Sequence, residues 1–257
     1  MHEPLDAWQG RDAEAWRSRW GVPELHLFRS IGSTNDVAAE RAEAGAPDGT
    51  LVLAEHQSAG RGRRGRAWQA PPGDALLMSM VFRTGVAGPP GPAPLRVGLA
   101  VAEALESVGA RCAIKWPNDV LVGGRKIAGV LCEAGTGTIV AGVGVNVRQG
   151  PDDWPPELRG EATSLAAVLG RRVALAEVAD PLVARLLALR DVVSRTLDDE
   201  TRARLAARDS LRGRAISVDG RHAGRADGIT ADGALRVVRG DGTAALVHAG
   251  TVRIVES

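Results

Sequence analysis

The chain has 257 residues, 44% of them apolar, with 32 basic and 31 acidic side chains giving a formal net charge of +1. That length allows one large domain, or a domain of about 200 residues with a small appendage, and the neutral balance excludes a global field that would recruit nucleic acid or a membrane surface. No run approaches the roughly 18 apolar residues of a spanning helix and the acidic N-terminus has no apolar signal core, so a cytoplasmic protein is expected.

In chain order, residues 5–20 read as a short helix carrying Trp8, Trp16 and Trp20. Residues 25–31 read as a strand. Ser33-Thr34-Asn35-Asp36 is an N-cap cluster opening a helix to about residue 44. Runs 51–56 and 76–83 are strands, the second apolar enough to be buried on both faces. A Pro/Gly loop over 85–94 leads to a helix with Val97, Val101, Ala104, Leu105 and Val108 on one face. Strands follow at 111–116, 127–134 and 138–147, the last two joined as a hairpin at Gly135-Thr136-Gly137. Asp180-Pro181 reads as an N-cap with Pro at the first helical position, opening a long helix to about residue 208. Beyond 210 the texture changes. Asp-Gly recurs at 219, 227, 232 and 241 between short β-type runs at 214–218, 235–238 and 252–255, the spacing of hairpins in a small barrel or sandwich. Two units are predicted, 1–209 and 210–257.

Lysine is nearly absent: of the 32 basic residues only Lys115 and Lys126 are lysines, and both lie in one short stretch. Where Lys drifts freely to Arg, a retained Lys marks a need for a compact ammonium point charge. Lys115-Trp116-Pro117-Asn118-Asp119 ends a strand, and Arg125-Lys126-Ile127-Ala128-Gly129 starts the next after the Gly123-Gly124 turn. A hairpin there is expected to bring Lys115 and Lys126 together beside Asn118 and Asp119, a pairing suited to phosphate. Asparagine is as scarce, confined to Asn35, Asn118 and Asn146.

The densest constellation is Gln57-Ser58-Ala59-Gly60-Arg61-Gly62-Arg63-Arg64-Gly65-Arg66-Ala67-Trp68. Its four arginines suit phosphate or carboxylate and are expected to lack internal partners in a mobile loop. Gly60-x-Gly62-x-x-Gly65 matches the dinucleotide fingerprint in letter, but no acidic residue lies about 20 positions on. An Arg-rich tract gripping nucleic acid and a solvated surface loop are the other readings. The two cysteines, Cys112 and Cys132, form no metal cluster and no disulfide framework.

Taken in order, Ser33-Thr34-Asn35, the arginine loop, Lys115-Trp116-Pro117-Asn118-Asp119, Arg125-Lys126-Ile127-Ala128-Gly129 and Gly144-Val145-Asn146 resemble biotin protein ligases. The resemblance implies an α+β fold: a mixed sheet with helices mainly on one face, like class II synthetases and biotin–lipoate ligases, plus a small C-terminal SH3-like barrel. It implies that biotin and ATP form biotinyl-5′-AMP, with Mg²⁺ on the phosphates, and that biotin then passes to a lysine of a biotin carboxyl carrier domain of a biotin-dependent carboxylase. Ser33, Thr34, Asn35, Gln57, Gly60, Arg61, Gly62 and Arg63 would hold biotin, with Gly129 and Gly144 against its apolar body. Arg63, Arg64, Arg66, Trp68, Lys115, Asn118 and Asn146 would meet the nucleotide, and Lys126 both substrates. Lys126 and Arg63 are the expected catalytic cations and Asp119 the expected acceptor of the incoming lysine's proton. About 24 residues precede the first strand, too few for the DNA-binding domain of bifunctional relatives, so DNA is not an expected partner; nor, from charge and hydropathy, is a membrane. A lipoate or octanoate ligase or transferase of the same fold is the alternative.

Overall fold

The computed structural model describes residues 2–85 and 87–255. The chain opens with β1 (Glu3–Pro4), β2 (Ala7–Trp8) and β3 (Arg11–Asp12), then α1 (Ala13–Trp20). The helix predicted over 5–20 thus begins only at 13. Gln9 and Gly10 turn β2 into β3 at positive φ, and the Asp12 carboxylate accepts the Ala15 N–H at 2.7 Å as the N-cap. Trp16 stacks on Trp20 at 4.6 Å, and Trp8 meets Trp16 edge-on at 5.3 Å.

β4 (Leu25–Ile31), α2 (Thr34–Glu43), β5 (Leu51–Gln57), β6 (Ala75–Arg83), α3 (Ala93–Ser107), β7 (Ala113–Lys115), β8 (Asp119–Val122), β9 (Arg125–Gly135) and β10 (Thr138–Asn146) follow. They build an eight-stranded sheet in the order β1-β4-β5-β6-β10-β9-β8-β7. The β4–β5 pair is parallel and the rest are antiparallel. Side chains alternate across the central strands, so two cores form. Leu51, Leu53, Met78, Met80 and Phe82 join the large core with the helices α1, α3 and, further on, α5 (Leu175–Leu187), whereas Val52, Ala54, Val81 and Val140 pack with Val37 and Ala38 of α2. The fold is therefore a mixed α+β sheet with helices mainly on one face. Each such Leu or Met removed from water contributes about 1.5–3 kcal/mol, which explains why β6 is buried along eight of its nine residues.

α4 (Leu165–Leu169), the α5 helix and α6 (Asp199–Ala206) complete this unit. The predicted start at Asp180-Pro181 is wrong: Pro181 lies inside α5, which begins after Ala174, whose N–H is accepted by Glu177 at 2.8 Å. The Asp180 carboxylate is taken instead by Arg19 (2.6 Å) and the Trp20 indole N–H (2.8 Å). Nor does one helix run to 208, because Asp198 caps a separate α6 by accepting from Thr201 N–H at 2.7 Å.

β11 (Ala215–Val218), β12 (Arg221–Ile229), β13 (Leu235–Val238), β14 (Ala244–Val247) and β15 (Val252–Ile254) form a second, antiparallel sheet in the order β14-β13-β12-β11-β15. Asp219-Gly220, Asp232-Gly233 and Asp241-Gly242 sit at its turns. Asp227-Gly228 instead lies within β12, where the register against β13 shifts, so this Asp-Gly marks a bulge rather than a turn. The sheet is tied to the larger unit: the Trp116 indole N–H donates to Gly233 O at 2.9 Å, and Ser210 N–H to Ile114 O at 3.0 Å. Among the described residues no helix is long and apolar enough to cross a membrane.

Candidate functional site

The site is built where β4 and β5, running parallel, release α2 and the arginine loop from neighbouring ends. Ser33 is the N-cap of α2 in extended conformation, but its hydroxyl makes no cap bond. The orphan N–H of Thr34 donates instead to Gln57 Oε1 at 2.7 Å, and Thr34 Oγ1 lies 3.0 Å from the same oxygen. This fixes the Gln57 amide through its oxygen. Ser79, buried in β6, reaches Thr34 Oγ1 at 2.7 Å and Asn35 Oδ1 at 2.6 Å. Asn35 crosses β10 at Gly142, where a Cβ would fall 2.1 Å from its Oδ1. Its amide nitrogen donates to Leu131 O (3.3 Å) and Glu133 Oε2 (2.6 Å).

The loop is a tight hairpin. Trp68 N–H donates to Gly60 O at 2.9 Å and Gly62 N–H to Arg66 O at 2.6 Å, with Arg64 left-handed at φ 58°. Gly60 is required at its neck, since a Cβ would stand 2.5 Å from Trp68 O. The expectation that the arginines lack internal partners fails. Arg61 pairs with Asp36 (2.5 Å) and Glu133 (3.1 Å), and Arg64 forks onto the Asp219 carboxylate of the second sheet and reaches Thr251 Oγ1 at 3.2 Å. Arg66 also meets Thr251 Oγ1 at 3.3 Å. The Arg64 fork, then the Thr251 N–H, hold the Asp219 carboxyl down at about 2. Arg63, like Arg66, donates to a neutral group, Asn118 Oδ1 at 3.3 Å. Burial first, then the nearby Arg64 charge, lowers its guanidinium pKa, and an arriving anion would offset both effects.

Beyond the loop, Trp68 lies across a saddle made by Gly129 and Gly144, which face each other in the β9–β10 register. A Cβ on Gly144 would stand 2.5 Å from the indole, and one on Gly129 3.1 Å from both the indole and Lys126 Nζ. Lys126 Nζ sits 5.5 Å from the indole centroid and 2.6 Å from Asp119 Oδ1. Residues 161–163 brace the Lys126 backbone, with Lys126 N–H donating to Glu161 O at 2.7 Å and Thr163 N–H to Lys126 O at 2.9 Å.

Of the other expected residues, Asn118 follows the cis Trp116–Pro117 peptide and donates to Val130 O at 2.8 Å. Asn146 ends β10, its Oδ1 accepting from Gln149 at 3.3 Å. Lys115 pairs in register with Asp119, but β8 separates its strand from β9, so the two lysines do not share a hairpin. Sequence reasoning missed β8 because Gly123-Gly124 turns after only four residues. It also missed Ser79, Glu133, Asp219 and Thr251. Ser79 had a signal, as the lone polar residue in the run 75–82. Among the described residues no group of three or more His, Cys, Asp or Glu is placed to hold a metal ion.

Residues 27–149 match the biotin/lipoate A/B protein ligase family. The chain is 38% identical over 150 residues to the bifunctional ligase/repressor BirA of Bacillus subtilis, a match covering 56% of this chain and 46% of that protein. It is 38% identical over 179 residues to the biotin–[acetyl-CoA-carboxylase] ligase of Mycobacterium tuberculosis, covering 64% and 63%. Thus the matched region spans between about half and two-thirds of these relatives' lengths. In structure it is similar to the biotin protein ligase of Aquifex aeolicus in complex with biotin and ATP, with TM-score 0.77 and 25% identity over 91% of this chain and 100% of that one.

Proposed function

We propose that this chain, whose residues 27–149 match the biotin/lipoate A/B protein ligase family, joins biotin to ATP as biotinyl-5′-AMP and passes biotin to a carrier lysine. In the first step a biotin carboxylate oxygen attacks the α-phosphorus and pyrophosphate leaves. In the second the carrier amine attacks the acyl carbon, AMP leaves and an amide remains. The reading rests above all on one convergence: Lys126 is paired with Asp119 beside the Gly129–Gly144 saddle, Arg63 is bonded to the adjoining Asn118 and feels the Asp119 charge, and Thr34 is bonded to Gln57 where the arginine loop leaves β5. A polar head at Thr34–Gln57 and an apolar body on the glycines bring a carboxylate to the cations.

Two anions repel one another, so the enzyme's task is to neutralise and align them. Lys126 supplies a compact donor to the oxygens that carry charge in both transition states. Arg63, bonded to a neutral amide, is a second. Asp119, paired with the Lys126 ammonium at 2.6 Å, is our proposed acceptor of the amine's proton as the amide forms. Asn118 and Asn146 line the nucleotide end. Mg²⁺ is taken to enter on the phosphates of the nucleotide, as part of that substrate. The carrier is the biotin domain of a carboxylase, by analogy with the names of the relatives. The division into 1–209, carrying the chemistry, and 210–257 belongs to the same proposal.

The test is biotin-dependent pyrophosphate release from labelled ATP, followed by labelling of an apo-carrier domain. Release driven by lipoate or octanoate and not by biotin would replace this reading. The nucleic-acid reading of the arginine tract is disfavoured, because Arg61 and Arg64 are already paired with carboxylates.

A further inference from the structure

Two tight turns are joined by one ion pair. The arginine hairpin closes through Arg63-Arg64-Gly65-Arg66, with Arg64 at φ 58°, Gly65 at φ 71° and Arg66 N–H donating to Arg63 O at 3.4 Å. The turn from β11 to β12 has Asp219 at φ 49° and Gly220 at φ 79°, between the paired residues Val218 and Arg221. Both turns carry two successive left-handed residues, a conformation that favours Asn-Gly or Asp-Gly. Asp219-Gly220 follows that preference and Arg64-Gly65 does not, because positive φ is uncommon for residues other than Gly, Asn and Asp. What Arg64 gains in that position is the Asp219 carboxylate. Its guanidinium forks onto both oxygens, and one of them also accepts Thr251 N–H at 2.8 Å. A disfavoured backbone conformation persists only where its surroundings impose it, and such places cluster at functional sites.

The consequence falls on the preceding residue. Arg63 is the first residue of the turn and lies half-buried, donating to Asn118 Oδ1 at 3.3 Å, while Arg64 is exposed and reaches the second sheet. Two adjacent guanidinium groups repel, and Arg63 feels both the Arg64 and the Asp219 charge. Asp219 draws Arg64 away and offsets its charge. We propose that Asp219 is a positioning residue for adenylate formation: by holding Arg64 it keeps the turn in the form that leaves Arg63 at Asn118, facing the substrate anions. The inference rests on the function proposed above and deepens it. A second contact points the same way. Asn118 lies two residues after Trp116, whose indole N–H donates to Gly233 O of the second unit at 2.9 Å. One small sheet therefore braces both segments that Arg63 and Asn118 bring together.

The experiment is biotin-dependent pyrophosphate exchange by the whole protein. Asp219→Asn keeps a residue suited to its turn and an acceptor for Thr251 N–H, and loses only the charge. Arg64→Asn suits its turn better than arginine does and loses the same pair. Each is expected to lower kcat by about five-fold or more, within what misplacement of a reacting group costs, with the KM for ATP changed by less than about two-fold. The double variant is expected to lose no more than either single one, and Asp219→Asn to add less than about two-fold in an Arg63→Gln background. A normal kcat in folded Asp219→Asn overturns the proposal. So does an undiminished effect in the Arg63→Gln background, the mark of a general structural role. A raised ATP KM in Arg64→Asn alone would put Arg64 on the nucleotide and overturn it as well. Should Asp219→Asn not fold, Arg64→Asn is read in the same way. Absence of exchange in the wild type would instead overturn the function proposed for the site, and this role with it.

Discussion

The indole of Trp68 rests on Gly144, in the saddle where the apolar body of a substrate is proposed to lie. The chain therefore fills its own cleft, with Lys126 Nζ above the same ring and the buried Trp68 Nε1 without a partner among the described residues. Ligand entry must move this ring. A difference spectrum between wild type and Trp68→Phe is expected to assign a biotin-induced fluorescence change to residue 68; the same change in both proteins would show that the ring stays in place.

Gly144→Ala tests the saddle from below. Its methyl would overlap the indole and the ligand's place together, and no small shift relieves 2.5 Å. Biotin KM is expected to rise about ten-fold or more, as one overpacked contact costs about 1–3 kcal/mol. Steady-state kinetics at saturating ATP check this, and a KM within two-fold of wild type contradicts it.

Lys126→Arg is expected to cripple adenylate formation although the charge remains. The compact ammonium sits between Asp119, Trp68 and Gly129, and a planar guanidinium would present its donors in a different geometry. A loss of about 10²-fold or more in rate, roughly 2.7 kcal/mol, is the scale for a transition-state donor. Pyrophosphate exchange at normal rate would remove Lys126 from the chemistry.

The Arg64–Asp219 pair gives the loop a pH-dependent hold. The folded carboxyl sits at about 2, below its ordinary 3.8. The pair is therefore fully formed above pH 3.8 and lost as pH falls through 2. Asp219→Asn is expected to speed tryptic cleavage within residues 61–66 at neutral pH. Equal cleavage of variant and wild type would mean that the hairpin is self-supporting.

Trp116→Phe removes the bond to Gly233 O. Leaving that carbonyl unpaired costs about 1–3 kcal/mol, read as a fall in Tm of several degrees with the second sheet released first in hydrogen exchange. An unchanged Tm would make this contact incidental.

Much of this architecture was legible. β6 announced itself as a buried strand by its unbroken apolar run, and the hairpin at Gly135–Gly137 by its turn residues. The motifs from Ser33 to Asn146 all lie about one sheet end because their spacing follows the strands. What stayed hidden was pairing across distance. Asp180-Pro181 looks like a helix start to any local rule, yet Asp180 answers Arg19, 161 residues away. The loop arginines look partnerless because Asp36, Glu133 and Asp219 carry no local mark of their roles. Charge complementarity between remote segments has no periodicity to read.

The tie between Arg64 and Thr251 spans 187 residues. At about 5–20 residues per second, a ribosome needs roughly 10–40 s to cover that interval. During synthesis the strands flanking the saddle can pair long before β15 exists, while the arginine hairpin still lacks its anchor on the second sheet. A nascent chain thus keeps the arginine hairpin without this anchor until β15 has been made, and synthesis of that strand, rather than folding of the large sheet, sets the moment at which the loop is fastened.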